Sequence, residues 1–60
     1  MTLIELLETC NDSMNVNIYN EDNELISWYD GRDSIDEAFN NNLVSWIYPV
    51  SENVLNVGIK

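Results

Sequence analysis

The sequence predicts a single small α+β domain with the order αββαββ, in which a four-stranded antiparallel or mixed sheet carries two helices on one face. Three observations lead to this fold. Near the amino terminus, residues typical of a helix cap precede apolar residues at helical spacing. Four later segments alternate apolar with polar residues, and the chain has only 60 residues. A chain of this length buries about 60% of the surface that its unfolded form exposes, so one domain over residues 1–60 with a thin core is expected.

The first helix is predicted to begin after Thr2. Thr2 and Glu5 have the spacing of a capping box, in which each side chain accepts a hydrogen bond from the other residue's backbone. Leu3 and Leu6 begin an apolar stripe on one side of this helix. Residues 11–13 are turn formers that compete with the helical backbone, so the helix should end there.

Two strands joined by a polar turn follow. Residues 14–19 alternate apolar with polar side chains, which is typical of a half-buried strand. Residues 20–23 are polar, and Leu25–Tyr29 is rich in aromatic and β-branched residues. The short connection predicts a β-hairpin that ends at Asp30.

A short second helix is predicted next. Ser34 and Glu37 repeat the capping spacing, and Asp33 and Asp36 add negative charge where a helix N-terminus is positive. The asparagines at 40–42 favour an exit from the helix. Its buried stripe is expected to comprise Ile35, Ala38 and Phe39.

The carboxy-terminal third predicts two further strands. Residues 43–50 alternate so that Val44 and Trp46 fall on one face, and residues 55–59 alternate again. Pro49 cannot donate to a ladder, which predicts an edge strand or a bulge. In so small a core, Trp28 and Trp46 are expected to be structural.

Composition excludes several classes of function. The chain has no His, a single Cys and a single Lys at position 60, so neither a catalytic triad nor a Cys/His zinc site can be assembled. We therefore expect no enzyme, no metal and no cofactor. The lone Cys10 fits a reducing compartment, and the apolar runs are too short for a membrane span or a signal peptide, so a cytoplasmic protein is expected.

Charge is the strongest functional signal. Eleven acidic and two basic residues give a net charge of -9, which disfavours direct binding to nucleic acid or anionic lipid and favours a basic partner. Seven of the 11 acids lie between positions 21 and 37, where Arg32 is the only basic residue. If the first hairpin and the second helix start converge, these acids form one anionic surface; the alternative is a solvated face that keeps the protein soluble. The candidate contact residues are Glu21, Asp22, Glu24, Asp30, Asp33, Asp36 and Glu37.

The aromatic residues allow a second interpretation. Aromatic anchors rimmed by acids are typical of protein-binding hot spots, and Tyr19, Tyr29 or Tyr48 could be exposed on the other face of the sheet. A protein partner could equally be bound through this aromatic face.

The chain as a whole resembles the very short acidic proteins encoded by phages and prophages of Gram-positive bacteria. The resemblance rests on the opening helix at residues 3–8, on the strand and turn at 16–23, and on the closing hairpin from 44–50 through 55–57. It implies an inhibitor of host defence, such as an anti-CRISPR protein of the DNA-mimic type, that acts by stoichiometric binding and has no catalytic residues. The implied partner is a basic nucleic-acid-binding host protein, for example a CRISPR effector subunit. The alternative is a structural or homo-oligomeric phage accessory protein, in which an exposed strand edge pairs two copies and the acids only solubilise.

Overall fold

The computed structural model describes residues 1–11, 13–29 and 35–60, and these residues form an α+β fold. One helix, one 3-10 turn and a four-stranded mixed sheet make up the described chain. Their bounds are α1 at Leu3–Thr9, β1 at Asn15–Tyr19, β2 at Leu25–Tyr29, the 3-10 turn at Glu37–Phe39, β3 at Val44–Ser51 and β4 at Val54–Ile59. None of the helices in the described residues is long and apolar enough to cross a bilayer.

The sheet consists of two hairpins. The first strand of the first hairpin, β1, lies beside the second strand of the second hairpin, β4, at the centre of the sheet. The strand order is β2-β1-β4-β3, with antiparallel pairing inside each hairpin and parallel pairing between β1 and β4. β2 and β3 are therefore the edge strands. The prediction of an edge strand or a bulge at Pro49 is confirmed, since β3 is an edge and its register shifts between Pro49 and Ser51.

One face of the sheet holds the core. Val16 and Ile18 on β1 pair with Leu55 and Val57 on β4, and all of them are buried. Helix α1 packs its leucine stripe against these residues, because Leu3, Leu6 and Leu7 belong to the same cluster. Ile35 completes the cluster from the connection between the hairpins.

The capping box that the sequence predicts at the start of α1 is confirmed. The Thr2 backbone N–H donates to Glu5 Oε1 at 2.8 Å, and the Glu5 backbone N–H donates to Thr2 Oγ1 at 3.4 Å. The Thr2 hydroxyl also donates to Glu5 Oε1 at 3.0 Å. The hydrogen bonds to the Glu5 carboxylate stabilise its charged form and hold the pKa of Glu5 below its ordinary value, and the bond from the Thr2 backbone has the largest effect.

The second predicted helix is not an α-helix in the described residues. Only the 3-10 turn Glu37–Phe39 forms, and Asp36 rather than Ser34 caps it, its carboxylate accepting from the Ala38 N–H at 3.0 Å. Backbone carbonyls at the end of this segment bind α1 instead of continuing a helix: Leu3 N–H donates to Asn42 O, and Ile4 N–H donates to Asn40 O. Ser34 and Asp33 lie outside the described residues.

The predicted faces of β3 are wrong at one position. A register shift between Val44 and Trp46 places Val44 beside Ile59 and Trp46 beside Gly58, so the two side chains point to opposite faces. Val44 packs against the core, whereas Trp46 is 37% exposed. The expectation that both tryptophans are core residues is also wrong, because Trp28 is 67% exposed.

Candidate protein-binding surfaces

The acidic turn, which we define as residues 20–24 between β1 and β2, has a fixed backbone. Asn20 Oδ1 accepts hydrogen bonds from the N–H groups of Asp22 at 2.9 Å and Glu24 at 3.0 Å. Asn23 takes a left-handed conformation with φ of 61°, which asparagine tolerates better than most residues. The carboxylates of the acidic turn therefore project from a loop whose backbone is already fixed.

All three acids of this turn are exposed, as the sequence predicts. Glu21 and Asp22 stand at the tip, and Glu24 also accepts a 3.2 Å hydrogen bond from the Asn20 side-chain amide. The hydrogen bonds to Asn20 Oδ1 fix the loop, so the backbone positions of its three acids are set before a partner binds.

A cleft of about 320 Å³ opens beside the acidic turn. Its charged lining residues are Glu21, Asp22 and Lys60. The remaining lining comprises the apolar residues Ile26, Phe39 and Ile59 with Asn20 and Asn42. Apolar residues and carboxylates in one cleft suit a long cationic side chain, whose methylene stem needs apolar contact and whose head needs a counter-charge.

The structure brings only some of the predicted site residues together. Glu21 and Asp22 share the cleft, whereas Asp36 and Glu37 are exposed on the 3-10 turn and do not line it. Phe39 on that turn does reach the cleft, which places the turn next to it. Asp30 and Asp33 lie outside the described residues.

The open face, which we define as the side of the sheet opposite the core, carries uncharged side chains, and two of its rows hold the aromatic residues. Register aligns Trp28, Asn17, Asn56 and Tyr48 across the four strands. In the middle of this row, the Asn17 Nδ2 donates to Asn56 Oδ1 at 3.0 Å.

The second row of the open face contains an aromatic stack over a glycine. Register aligns Leu25, Tyr19, Gly58 and Trp46. The Tyr19 and Trp46 rings come within 5.7 Å, centroid to centroid, although a strand lies between them. They meet because Gly58 has no side chain and the Trp46 indole lies directly over its backbone.

Sequence reasoning underestimated this face. Trp28 and Tyr48 are 67% and 63% exposed, and Leu25 beside them is exposed as well. The signal that identifies the face is the set of asparagines at 15, 17 and 56, which alternate with buried aliphatic residues on the two central strands. Aromatic residues of the edge strands that share the asparagine face must point away from the core.

The described residues offer no group of three carboxylate, thiol or imidazole side chains that could hold a metal ion. Comparison of the chain with protein-family models, with curated protein sequences and with solved structures yields no match. The two surfaces above are thus the features from which a function can be argued.

Proposed function

We propose that this protein is a phage-type, anti-CRISPR-like inhibitor that binds a basic nucleic-acid-binding surface of a host defence protein. By presenting carboxylates where the target holds phosphates, it blocks recognition or cleavage of nucleic acid. In this proposal it acts stoichiometrically in the bacterial cytoplasm, with no catalytic step and no cofactor. Its partner is a basic host protein such as a CRISPR effector subunit, and neither nucleic acid nor a membrane is contacted directly.

The observation that carries the proposal is the density of negative charge. The chain has a net charge of -9 on a body whose longest dimension is 25 Å. Over that length a single DNA strand carries about 7 phosphates and a duplex about 15. The protein is therefore close to a single nucleic acid strand in charge per length, which supports competition for a basic groove and faster encounter with it.

The acidic turn supports a defined contact. Because Asn20 fixes the backbone of the turn, binding a partner needs to order only the side chains of Glu21 and Asp22. In the cleft beside them, Ile26 and Phe39 would contact the stem of a lysine or arginine of the partner, whereas Lys60 is a like charge that lowers the affinity for it. Charge alone would give non-specific attraction, whereas a cleft that fits one side chain would make the contact specific.

The proposal is tested by capture and competition. The tagged protein is used to recover partners from a bacterial host lysate, and a recovered nucleic-acid-binding protein is then assayed for displacement of its DNA or RNA. The double variant Glu21→Gln, Asp22→Asn should lose the partner, and the single variant Glu21→Gln should weaken it. The matched control Glu8→Gln removes the same single charge from an exposed position on α1 and should retain the partner. A partner that still binds its nucleic acid when saturated with this protein would contradict the mimicry.

A second candidate function is a homo-oligomeric accessory protein, favoured by the β3 edge. This edge strand has eight residues, and Ile47 and Val50 on it are exposed. Long apolar edges are templates for strand pairing. Light scattering across a dilution series separates the candidates, since self-pairing gives a mass that doubles with concentration.

A further inference from the structure

We infer that the open face binds an extended, arginine-bearing segment of the partner protein, with guanidinium groups stacked on Trp28 and Tyr48. The inference rests on the proposed function for one premise, namely that the partner protein is positively charged. It goes beyond that function by assigning specific recognition to an uncharged aromatic surface.

The two exposed rings have a spacing that an extended chain can match. Trp28 and Tyr48 stand at opposite ends of one row, on the outer strands of four. Adjacent strands lie about 4.8 Å apart, so the two positions are separated by roughly 14 Å. In an extended segment crossing the strands, residues i and i+4 are also about 13 to 14 Å apart and point the same way.

Polar groups between the rings suit a polar side chain at the middle of the segment. Asn17 and Asn56 are half-buried and hydrogen-bond to each other through one amide N–H and one carbonyl oxygen. Asn17 Oδ1 and Asn56 Nδ2 then remain as acceptor and donor for a bound segment. In an extended segment with residues i and i+4 over the rings, the side chain at i+2 points at these two groups, so a serine there would find one donor and one acceptor.

Charge selects the occupant. The turn after β1 and the turn before β4 lie at opposite ends of the sheet, because these strands are parallel. Glu21 and Asp22 lie in the turn at one end of the sheet and Glu52 in the turn at the other, so carboxylates lie beyond both ends of the open face, and the net charge of -9 favours a basic segment. A second copy stacked on this face would bring two bodies of net charge -9 together, and nucleic acid would be repelled in the same way.

Arginine fits the rings better than lysine. Its planar guanidinium stacks on aromatic faces and is more weakly hydrated than an ammonium group. Each exposed cation–π contact contributes enough to change affinity about two- to fivefold. Two contacts on one segment therefore predict an effect of about five- to thirtyfold, centred near tenfold.

The experiment is a titration of the isotopically labelled protein, followed by NMR. The probes are a short glycine–serine peptide with two arginines at i and i+4 and its twin with two lysines. The arginine peptide should shift the Trp28 indole N–H and the Asn17 and Asn56 side-chain amide signals. It should also bind several-fold more tightly than the lysine peptide.

Variants separate this inference from the proposed function. Trp28→Ser with Tyr48→Ser removes exposed rings without opening the core, and it should weaken the arginine peptide about tenfold. If instead only Glu21→Gln with Asp22→Asn weakens binding, the acidic turn is the contact and the inference fails while the proposed function stands. Equal binding of both peptides, absence of shifts on the open face, or a concentration-dependent dimer abolished by Trp28→Ser would each overturn the inference.

Discussion

Gly58→Ala tests whether the aromatic stack on the open face is packed as described. Gly58 is buried beneath the Trp46 indole, and an added methyl would overlap the ring atoms Nε1, Cε2 and Cδ1. The backbone of Gly58 lies outside the left-handed region, so alanine itself is compatible with the local conformation. The substitution therefore acts through Trp46 rather than through backbone strain.

The expected cost follows from the burial of Trp46. The side chain is 37% exposed, so it buries roughly 150 Å² of a possible ~250 Å². Displacing the ring to release about half of that area costs ~2 kcal/mol at ~25 cal/mol per Å². Loss of the Tyr19 contact adds ~1 kcal/mol, and the gain from replacing glycine offsets ~0.5 to 1 kcal/mol. Gly58→Ala should thus destabilise by about 2 kcal/mol, or lower the Tm by about 10 °C.

The assay is denaturation followed by far-UV circular dichroism in two backgrounds. In Trp46→Ala the methyl at position 58 meets no indole, so Gly58→Ala should be neutral or stabilising by up to ~1 kcal/mol. The difference between the backgrounds isolates the contact as a double-mutant cycle does. The same free-energy change in both backgrounds, or a stabilised Gly58→Ala in the natural background, would refute the reasoning.

Three further predictions concern the cap, the acidic turn and the net charge. Thr2→Ala should lower the free energy of unfolding by about 1 kcal/mol, measured by circular dichroism. Because folding lowers the pKa of Glu5, the charged Glu5 stabilises the fold above its unfolded pKa, and this stabilisation is lost as pH falls through the folded pKa. Glu5→Gln should therefore flatten that part of the pH–stability curve. Asn23→Ala should cost about 1 kcal/mol and Asn23→Gly much less, since position 23 has a positive φ; equal costs would exclude the conformational explanation. Raising salt from about 10 mM to about 1 M should raise the midpoint of thermal unfolding by screening self-repulsion, and a falling midpoint would contradict it.

Local features were predictable from the sequence. The capping box involves only Thr2 and Glu5, and the alternation in β1 reports burial directly. The acidic turn was also recognisable, because asparagine and acidic residues favour turns by bonding to nearby backbone. In each case the cause lies within a few residues of its effect.

Features that depend on distant pairing were not predictable. The parallel contact of β1 with β4 joins segments some 39 positions apart, as in the bond between Asn17 and Asn56. The register shift after Val44 reverses the face of Trp46, and alternation alone cannot reveal a bulge. The position of Gly58 opposite Trp46 follows only from that register. The sequence thus predicted the exposed acids of the first turn and raised an exposed aromatic face, but it assigned Trp28 and Trp46 to the core.

The described part of the chain is too small to cover both faces of its sheet. Helix α1 packs on the core face, which leaves Trp28, Trp46 and Tyr48 uncovered on the open face. Nine hydrophobic side chains are buried, and eight large ones remain exposed among the described residues. Four of those eight lie on the edge strand β3: Trp46, Ile47, Tyr48 and Val50. A chain selected only for folding and solubility would gain by replacing them with polar residues, since exposed apolar surface of this extent promotes association. Their presence beside a net charge of -9 is the combination that a protein-binding surface requires, with charge to attract the partner and aromatic area to hold it.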